Sequence, residues 1–217
     1  MKAYFISGLG ADKKAFYKLK LPEGYQPVYL DWIAPLKNES LKEYAKRFSA
    51  AINTQEDFII IGLSFGGMIA SEIARISKPK KLIIISSIAV SDELPWYFRL
   101  AGRLRIQKII PLQFYKTATI LNHFMGSKNR ADKAMVLSFV RQTPPSFIRW
   151  SLNSILSWEQ HERLENMVHI HGSSDRLLPI RYTNAAHVVQ KGKHLMVLNK
   201  ADEVNIILGQ VLSVLKK

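Results

Sequence analysis

One serine of this chain has the surroundings of a nucleophile, in the segment Gly-Leu-Ser-Phe-Gly at 62–66. The apolar run at 58–61 before Ser64 is typical of a strand buried on both faces, and 66–77 after it has helical spacing. Only three residues remain for the turn, so the chain must reverse sharply, and the flanking glycines remove side chains that would crowd it. Strand, Gly-x-Ser-x-Gly and helix together are the nucleophile-elbow pattern.

A serine hydroxyl needs a base within hydrogen-bond distance, normally a histidine that a carboxylate holds in the right tautomer. With this elbow, the chain order is Ser, then Asp or Glu, then His, and the later members follow the C-terminal ends of late strands. Asp175 follows the strand-like segment 166–172, and His194 follows the strand-like segment 185–190. We therefore predict that Ser64, Asp175 and His194 meet at one edge of a sheet.

The position of His194 depends on which segment is the last strand. If the apolar run 195–198 were that strand, His194 would precede it and lie at the opposite edge from Ser64. If 185–190 is the strand, Gly192 turns the chain and His194 lies at the same edge as the other two residues. We take the second alternative because one geometry then satisfies all three residues.

Two backbone donors are needed to bind the oxyanion that forms when a serine attacks a carbonyl carbon. We assign one to the N–H of Phe65, which follows the serine. We assign the other to the N–H of Leu9, in the loop 7–10 after the first strand-like segment. The glycines on both sides of Leu9 would let this backbone approach a substrate.

Other residues offer alternative chemistry. Asp92 follows the fourth strand-like segment and is the alternative acid to Asp175. His187 lies inside the sixth segment, where we expect it to pack in the core. His169 and His171 alternate along one strand and face the same side, but no third metal ligand is near in sequence, and we interpret both as structural.

A dinucleotide-binding fold is a second alternative. The segment Gly8-Leu9-Gly10 follows a strand, and Asp31 ends the next strand about twenty residues further on, as in that fold. Lys13 occupies the position of the third glycine, however, and the elbow at Ser64 would then be accidental. We therefore favour the nucleophile interpretation.

Short strand-like segments alternate with helical patterns, which predicts an α/β fold with a mostly parallel sheet of six strands flanked by helices. The six segments lie at 3–7, 26–32, 57–63, 80–86, 166–172 and 185–190. A helix at 40–52 begins with a capping box of Ser40 and Glu43, and an amphipathic helix at 200–215 closes the chain. Between 87 and 165 the pattern is helical and interrupted by proline and glycine. We expect a core of 1–86 and 166–217 with a helical insertion at 87–165.

Length and composition predict one domain of a soluble globular protein, because 217 residues with 47% hydrophobic and 22% charged residues are ordinary values for that class. The absence of cysteine excludes disulfides, thiolate metal sites and a cysteine nucleophile. No apolar run approaches a membrane span, the first ten residues lack the apolar stretch of a signal peptide, and we expect a cytoplasmic location.

The net charge of +14 is concentrated in the insertion, where 96–149 holds ten Lys or Arg and one acid, a net +9. We interpret this as a solvated, basic helical surface. Attraction to anionic substrates or to a membrane is the alternative, but apolar and basic residues alternate too closely for a clean membrane-binding face.

The chain resembles a small member of the α/β-hydrolase superfamily that begins at the strand which the family counts as its third. The segment 62–66, Asp175 and His194 carry this resemblance, and the order of segments extends it over essentially the whole chain. The insertion 87–165 is similar in position and length to the helical lids of small bacterial esterases, carbon–carbon bond hydrolases and plant esterase-like or hydroxynitrile-lyase-like proteins. Ser7 replaces the histidine of the usual His-Gly oxyanion loop, but the oxyanion donors are backbone groups.

These observations predict an esterase-like serine hydrolase that cleaves an acyl bond, in the first place a carboxylic ester of a small or medium apolar acid, through an acyl-enzyme. The same triad could serve a carbon–carbon bond hydrolase or a lyase. A protein of another class, a non-catalytic binding protein with the basic insertion as its interaction surface, is a further alternative. We expect a small-molecule acyl substrate, no cofactor, no metal and no nucleic-acid partner.

Overall fold

The computed structural model describes residues 1–104 and 129–216, and the described residues form one parallel sheet of six strands flanked by helices. In chain order the strands are β1 (Lys2–Ile6), β2 (Gln26–Leu30), β3 (Phe58–Leu63), β4 (Lys81–Ile85), β5 (Met167–Gly172) and β6 (His187–Val189). Their order across the sheet is β2-β1-β3-β4-β5-β6, and every neighbouring pair is parallel. The predicted fold class is confirmed.

The helices are placed on both faces of this sheet. In chain order they are α1 (Leu41–Phe48), α2 (Phe65–Ser77), α3 (Trp96–Arg103), α4 (Arg130–Gln142), α5 (Pro145–Leu156), α6 (Met196–Asn199) and α7 (Ala201–Ser213). The predicted capping box of Ser40 and Glu43 begins α1. On the closing helix α7, Val204, Leu208 and Leu212 form the fully buried stripe.

Both faces of the central strand are covered, which explains its continuous apolar sequence. Every residue of β3 is buried, and alternate side chains enter two separate clusters. Ile60 packs in the cluster that includes residues of α1 and α2, whereas Ile59 and Ile61 pack in the cluster that includes residues of α6 and α7. A strand buried on both faces has no polar alternation, because neither side contacts water.

The last strand is β6, so the choice between the two apolar segments is settled. His187–Val189 pairs in parallel with β5, whereas Met196–Asn199 is the short helix α6. β1 is followed by a single 3-10 turn, Lys13–Phe16, and not by the long helix that a dinucleotide fold requires at this point. The nucleotide-binding alternative is therefore not supported.

The insertion between β4 and β5 has no strand at 87–104 or 129–165, and its helices there are α3, α4 and α5. Of the prolines and glycines expected to interrupt the helices, Pro95 and the pair at 144–145 lie at helix starts, but Gly102 lies within α3. The part of the predicted insertion at 105–128 lies outside the described residues. In the described parts of the chain, we find no helix whose length and apolar content would let it cross a membrane.

The two ends of the insertion are bonded to each other. Ser91 donates its N–H and its hydroxyl to the carbonyl of Gln160, at 2.7 and 2.9 Å. The Glu93 carboxylate is buried, accepts the N–H of Ala89 at 2.7 Å and pairs with Arg163 at 3.1 Å. We name these contacts between 89–93 and 160–163 the neck, which joins the insertion to the sheet.

Candidate active site

Ser64 occupies the turn between β3 and α2 with a left-handed backbone, at φ 52°. This conformation costs a non-glycine residue free energy, and it persists only where the surroundings hold it. The Ser64 N–H donates to the carbonyl of Ile85 at 2.9 Å, and the Ser87 hydroxyl donates to the Ser64 carbonyl at 2.7 Å. A Cβ at Gly66 would meet the backbone carbonyls of residues 6 and 7, so only glycine fits there.

Asp175 and His194 lie in a hydrogen-bonded chain with Ser64. The Ser64 Oγ and His194 Nε2 are 2.8 Å apart, and His194 Nδ1 and Asp175 Oδ2 are also 2.8 Å apart. A carboxylate only accepts, so His194 Nδ1 carries the hydrogen and Nε2 is free to accept the serine proton. The sequence prediction that these three residues converge at one edge of the sheet agrees with these distances.

The Asp175 carboxylate is buried, and hydrogen bonds fix both of its oxygens. Its Oδ1 accepts the N–H groups of Leu177 and Leu178, each at 2.9 Å, while Oδ2 faces His194. Burial alone raises the pKa of this carboxyl group. The nearby His194 ring and the donors around the carboxylate outweigh burial, and the pKa of Asp175 is lower than usual. The group is therefore an anion at neutral pH.

The alternative acid, Asp92, does not approach this chain. Its carboxylate is exposed and pairs with the His161 ring at 2.8 Å, as part of the neck. The neighbouring residue Glu93 is the buried one. His187 is half-buried on β6, away from the cavity described below. Of the candidate acids, Asp175 alone is bonded to His194 among the described residues.

The two residues predicted to supply the backbone donors lie near Ser64. Phe65 is the first residue of α2, where an N–H has no partner within the helix. The loop before the first 3-10 turn passes close to the serine, since a Cβ on Gly8 would be 3.6 Å from the Cβ of Ser64. Leu9 and Phe65 both line the cavity that contains the serine.

A cavity of about 430 Å³ opens beside Ser64 and His194. Among the described residues, its polar lining consists of Ser64, Ser87, Thr143 and His194, and no Lys, Arg, Asp or Glu lines it. The helices of the insertion contribute Phe98 and Ala101 from α3, Val136, Phe139 and Val140 from α4, and Ile148, Leu152, Ile155 and Leu156 from α5. A site of this size and lining suits a small apolar ligand.

Three polar residues near the site were not assigned a role from the sequence. Ser87 donates its hydroxyl to the Ser64 carbonyl, and Thr143, which follows α4, lines the cavity. Neither has a sequence signal, because their roles depend on contacts between distant segments. His171, interpreted as structural, contacts Asp175 at 3.5 Å and is bonded to His169 at 3.0 Å. Among the described residues, no group of three ligating side chains is arranged to hold a metal ion.

Comparison with known families gives a match over most of the chain. Residues 3–205 match the model of a family described as "Alpha/beta hydrolase family". A sequence comparison with curated proteins finds no significant match.

Solved structures with a similar fold include several enzymes. A lipase-esterase related protein from Clostridium acetobutylicum ATCC 824 is 18% identical, with a TM-score of 0.69, over 95% of this chain and 92% of that one. A thermophilic esterase from Thermogutta terrifontis is 13% identical, with a TM-score of 0.67, over 96% and 88%. The RedJ thioesterase of Streptomyces coelicolor is 16% identical, with a TM-score of 0.69, over 97% and 85%. At these identities the likeness concerns the fold alone.

Proposed function

Because the chain belongs to the alpha/beta hydrolase family, we propose that it is a serine hydrolase that cleaves a carboxylic ester of a small or medium apolar acid. One observation carries the proposal. The Ser64 Oγ lies 2.8 Å from His194 Nε2, and His194 Nδ1 lies 2.8 Å from Asp175, beside an apolar cavity. A nucleophile, a base and an orienting acid in contact are the requirements of covalent acyl transfer without a cofactor.

In the proposed mechanism, Ser64 Oγ attacks the ester carbonyl while His194 Nε2 takes the serine proton. The negative charge of Asp175 stabilises the imidazolium that forms, and Asp175 remains ionised. His194 then gives its proton to the departing alcohol oxygen, which leaves Ser64 acylated. Water, deprotonated by His194, then attacks the acyl-enzyme, and His194 returns that proton to Ser64 Oγ as the bond to the acyl group breaks and the acid leaves.

The backbone N–H groups of Leu9 and Phe65 are the proposed donors to the oxyanion of each tetrahedral intermediate. The hydrogen bonds from two fixed donors to this oxygen become stronger as negative charge develops on it. Loss of one such donor typically lowers kcat by about 10²- to 10³-fold. We propose that the left-handed turn at Ser64 serves to bring its hydroxyl and the first N–H of α2 to the same side of the elbow. This arrangement is the physical reason for the sharp turn.

The cavity supports the choice of an apolar acid. A charged acyl group would lose its hydration there without gaining a charged partner from the described residues, which costs roughly several kcal/mol. An alkyl group gains about 0.8 kcal/mol for each methylene removed from water. We propose that the insertion 87–165 acts as a lid, since α3, α4 and α5 supply much of the lining; 105–128 lies outside the described residues.

Thioester and amide cleavage, carbon–carbon bond hydrolysis and lyase chemistry can use the same three residues. The small, apolar cavity is compatible with the same acyl group in each case, and we propose a carboxylic ester in the first place. The alternative that is not an enzyme is a binding protein with a basic interaction surface. The contact between Ser64 and His194 argues against it. We propose a small-molecule substrate without nucleic-acid or membrane partners, and a cytoplasmic location stays a prediction.

A fluorophosphonate probe and a panel of p-nitrophenyl esters from acetate to palmitate test the proposal. We expect labelling of the wild-type protein at Ser64, and none of the Ser64→Ala variant with an unchanged circular dichroism spectrum. Activity on the panel should rise from acetate and fall for long chains as the cavity fills. Full labelling of Ser64→Ala, or no labelling and no turnover by the wild type, would refute the hydrolase proposal.

A further inference from the structure

Two histidines that the proposed mechanism does not use lie next to its acid. His169 and His171 point to the same face of β5, and both are fully buried. His171 Nε2 is 3.5 Å from Asp175 Oδ2, and its Nδ1 is 3.0 Å from His169 Nε2. A buried histidine pair at the acid of a triad requires an explanation, because an imidazolium there would compete with His194 for the same carboxylate.

The hydrogen-bond partners determine where the protons lie. His171 Nε2 is 2.8 Å from the carbonyl oxygen of Leu178, which can only accept, so Nε2 carries the hydrogen. In a neutral ring, Nδ1 of His171 then has only its lone pair. His169 Nε2, at 3.0 Å, is the atom that faces this lone pair, and the Leu178 carbonyl thus fixes the tautomer of His171.

Burial keeps both rings neutral. It is the largest influence on each, and it lowers the pKa of His169 to about 3. For His171, the Leu178 carbonyl and Asp175 oppose burial, but the pKa is still lower than usual. At neutral pH, His171 is therefore uncharged. Its Nε2–H is directed to the Leu178 carbonyl and not to Asp175.

Leu178 connects this histidine pair to the acid. Its carbonyl accepts from His171, while its own N–H donates to Asp175 Oδ1 at 2.9 Å. One peptide segment is thus held from both ends, by His171 on β5 and by the carboxylate. The turn 175–178 also lines the cavity through Leu177 and Leu178. Movement of this turn would displace Asp175 relative to His194.

We propose that His171 is a positioning residue of the hydrolase: as an uncharged donor to the Leu178 carbonyl, it holds the turn 175–178 and thereby keeps the Asp175 carboxylate in place against His194. This inference rests on the proposed function. His171 touches neither substrate nor the reacting atoms, and it acts through the distance between Asp175 and His194. Its loss should lower kcat with little change in KM, because the imidazolium exists only after the reaction begins.

The proton positions can be tested on the wild-type protein. ¹⁵N-histidine NMR at pH 7 should show His171 as a neutral ring with its hydrogen on Nε2, and variants lacking one ring assign the signals. A cationic His171, or a hydrogen on Nδ1 instead, would overturn the inference. This measurement does not depend on whether any substituted protein folds well enough to be assayed.

A matched pair of variants tests the positioning. Glutamine and methionine have similar lengths, but only His171→Gln keeps a donor that can reach the Leu178 carbonyl. We expect His171→Met to lower kcat about 10- to 100-fold, the range for a small misplacement of a catalytic group. His171→Gln should recover most of this loss. His169→Met, at an equally buried site without contact to Leu178, should keep kcat.

Rates are divided by the concentration of sites that the fluorophosphonate labels, so that partial unfolding does not count as lost kcat. Equal kcat for His171→Met and the wild type, or an equal loss in His169→Met, would overturn the inference while leaving the hydrolase proposal intact. Failure of the wild type to label or to turn over ester would instead refute the proposed function.

Discussion

The carboxyl edge of the sheet and the inserted helices contribute to the same site in different ways. At the sheet edge, His194 is hydrogen-bonded to both Ser64 and Asp175 at 2.8 Å. The three residues lie in the loops that follow β3, β5 and β6. Helices α3 to α5 contribute only apolar side chains to the cavity. Their basic residues Arg99, Arg103, Arg130, Lys133, Arg141 and Arg149 are all exposed.

This difference implies that the sheet edge determines reactivity and the inserted helices determine which substrates fit. The polar groups that must be held within tenths of an ångström come from loops anchored by strands, whose positions the parallel pairing fixes. The groups that only need to exclude water and offer shape come from helices that are attached through the neck. Reactivity and substrate size should therefore respond to different substitutions, and the predictions below test that separation.

The largest expected effect is at the sheet edge. Asp175→Asn should lower kcat by roughly 10⁴-fold, because an amide favours the wrong His194 tautomer and cannot stabilise the imidazolium. Steady-state ester hydrolysis measures it. Asp92→Asn is the control and should retain full activity, since Asp92 bonds His161 at the surface. The reverse result, with Asp92→Asn inactive and Asp175→Asn active, would show that the acid is assigned to the wrong residue.

An intermediate effect is expected from the cavity wall. Val140→Phe on α4 fills part of the cavity and should move the preferred acyl chain to a shorter length. Each methylene that no longer fits costs about 0.8 kcal/mol, or roughly fourfold in kcat/KM. The ester panel gives this profile, and Ala134→Phe, on the exposed side of the same helix, is the control. If Val140→Phe keeps the wild-type profile, the described cavity does not bind the acyl chain.

The neck should affect stability more than catalysis. Glu93→Ala leaves the buried Ala89 N–H without its acceptor, which should lower the free energy of unfolding by about 1–3 kcal/mol. Urea denaturation measures this change. Glu93→Gln keeps an acceptor and should lose less stability. Asp92→Asn alters only an exposed contact with the His161 ring, and it should change the free energy of unfolding by about 0–1 kcal/mol. Wild-type stability in Glu93→Ala would mean that these bonds do not hold the insertion.

The smallest effect is expected from the basic surface. The double variant Lys133→Gln and Arg141→Gln should keep the kcat/KM of a neutral ester, at low and at high salt, because both side chains are exposed and neither lines the cavity. Co-sedimentation should show no binding of the wild type to anionic vesicles at low salt. If kcat/KM depends on salt, or if the protein binds the vesicles, this prediction is wrong and the basic surface has an electrostatic role.

Much of the fold could be predicted because its signals are local. The run at 58–61 is apolar because β3 is buried on both faces, and the glycines around Ser64 are required where a Cβ would meet backbone atoms. The capping box of Ser40 and Glu43 likewise depends on only four consecutive residues. Sterics and periodicity act over a few residues, so the sequence alone determined the sheet, the elbow and the order of the candidate residues.

The choice among candidates required the tertiary structure. Asp92 and Asp175 both follow strands, and only the packing of the neck directs Asp92 to the surface while the turn 175–178 holds Asp175 against His194. The cavity and the tautomer of His171 are equally invisible in sequence, because they depend on segments such as α4 and Leu178 meeting the sheet edge. Ser64 and His194 are 130 residues apart, and their contact depends on the pairing of strands and the burial of side chains across that whole distance.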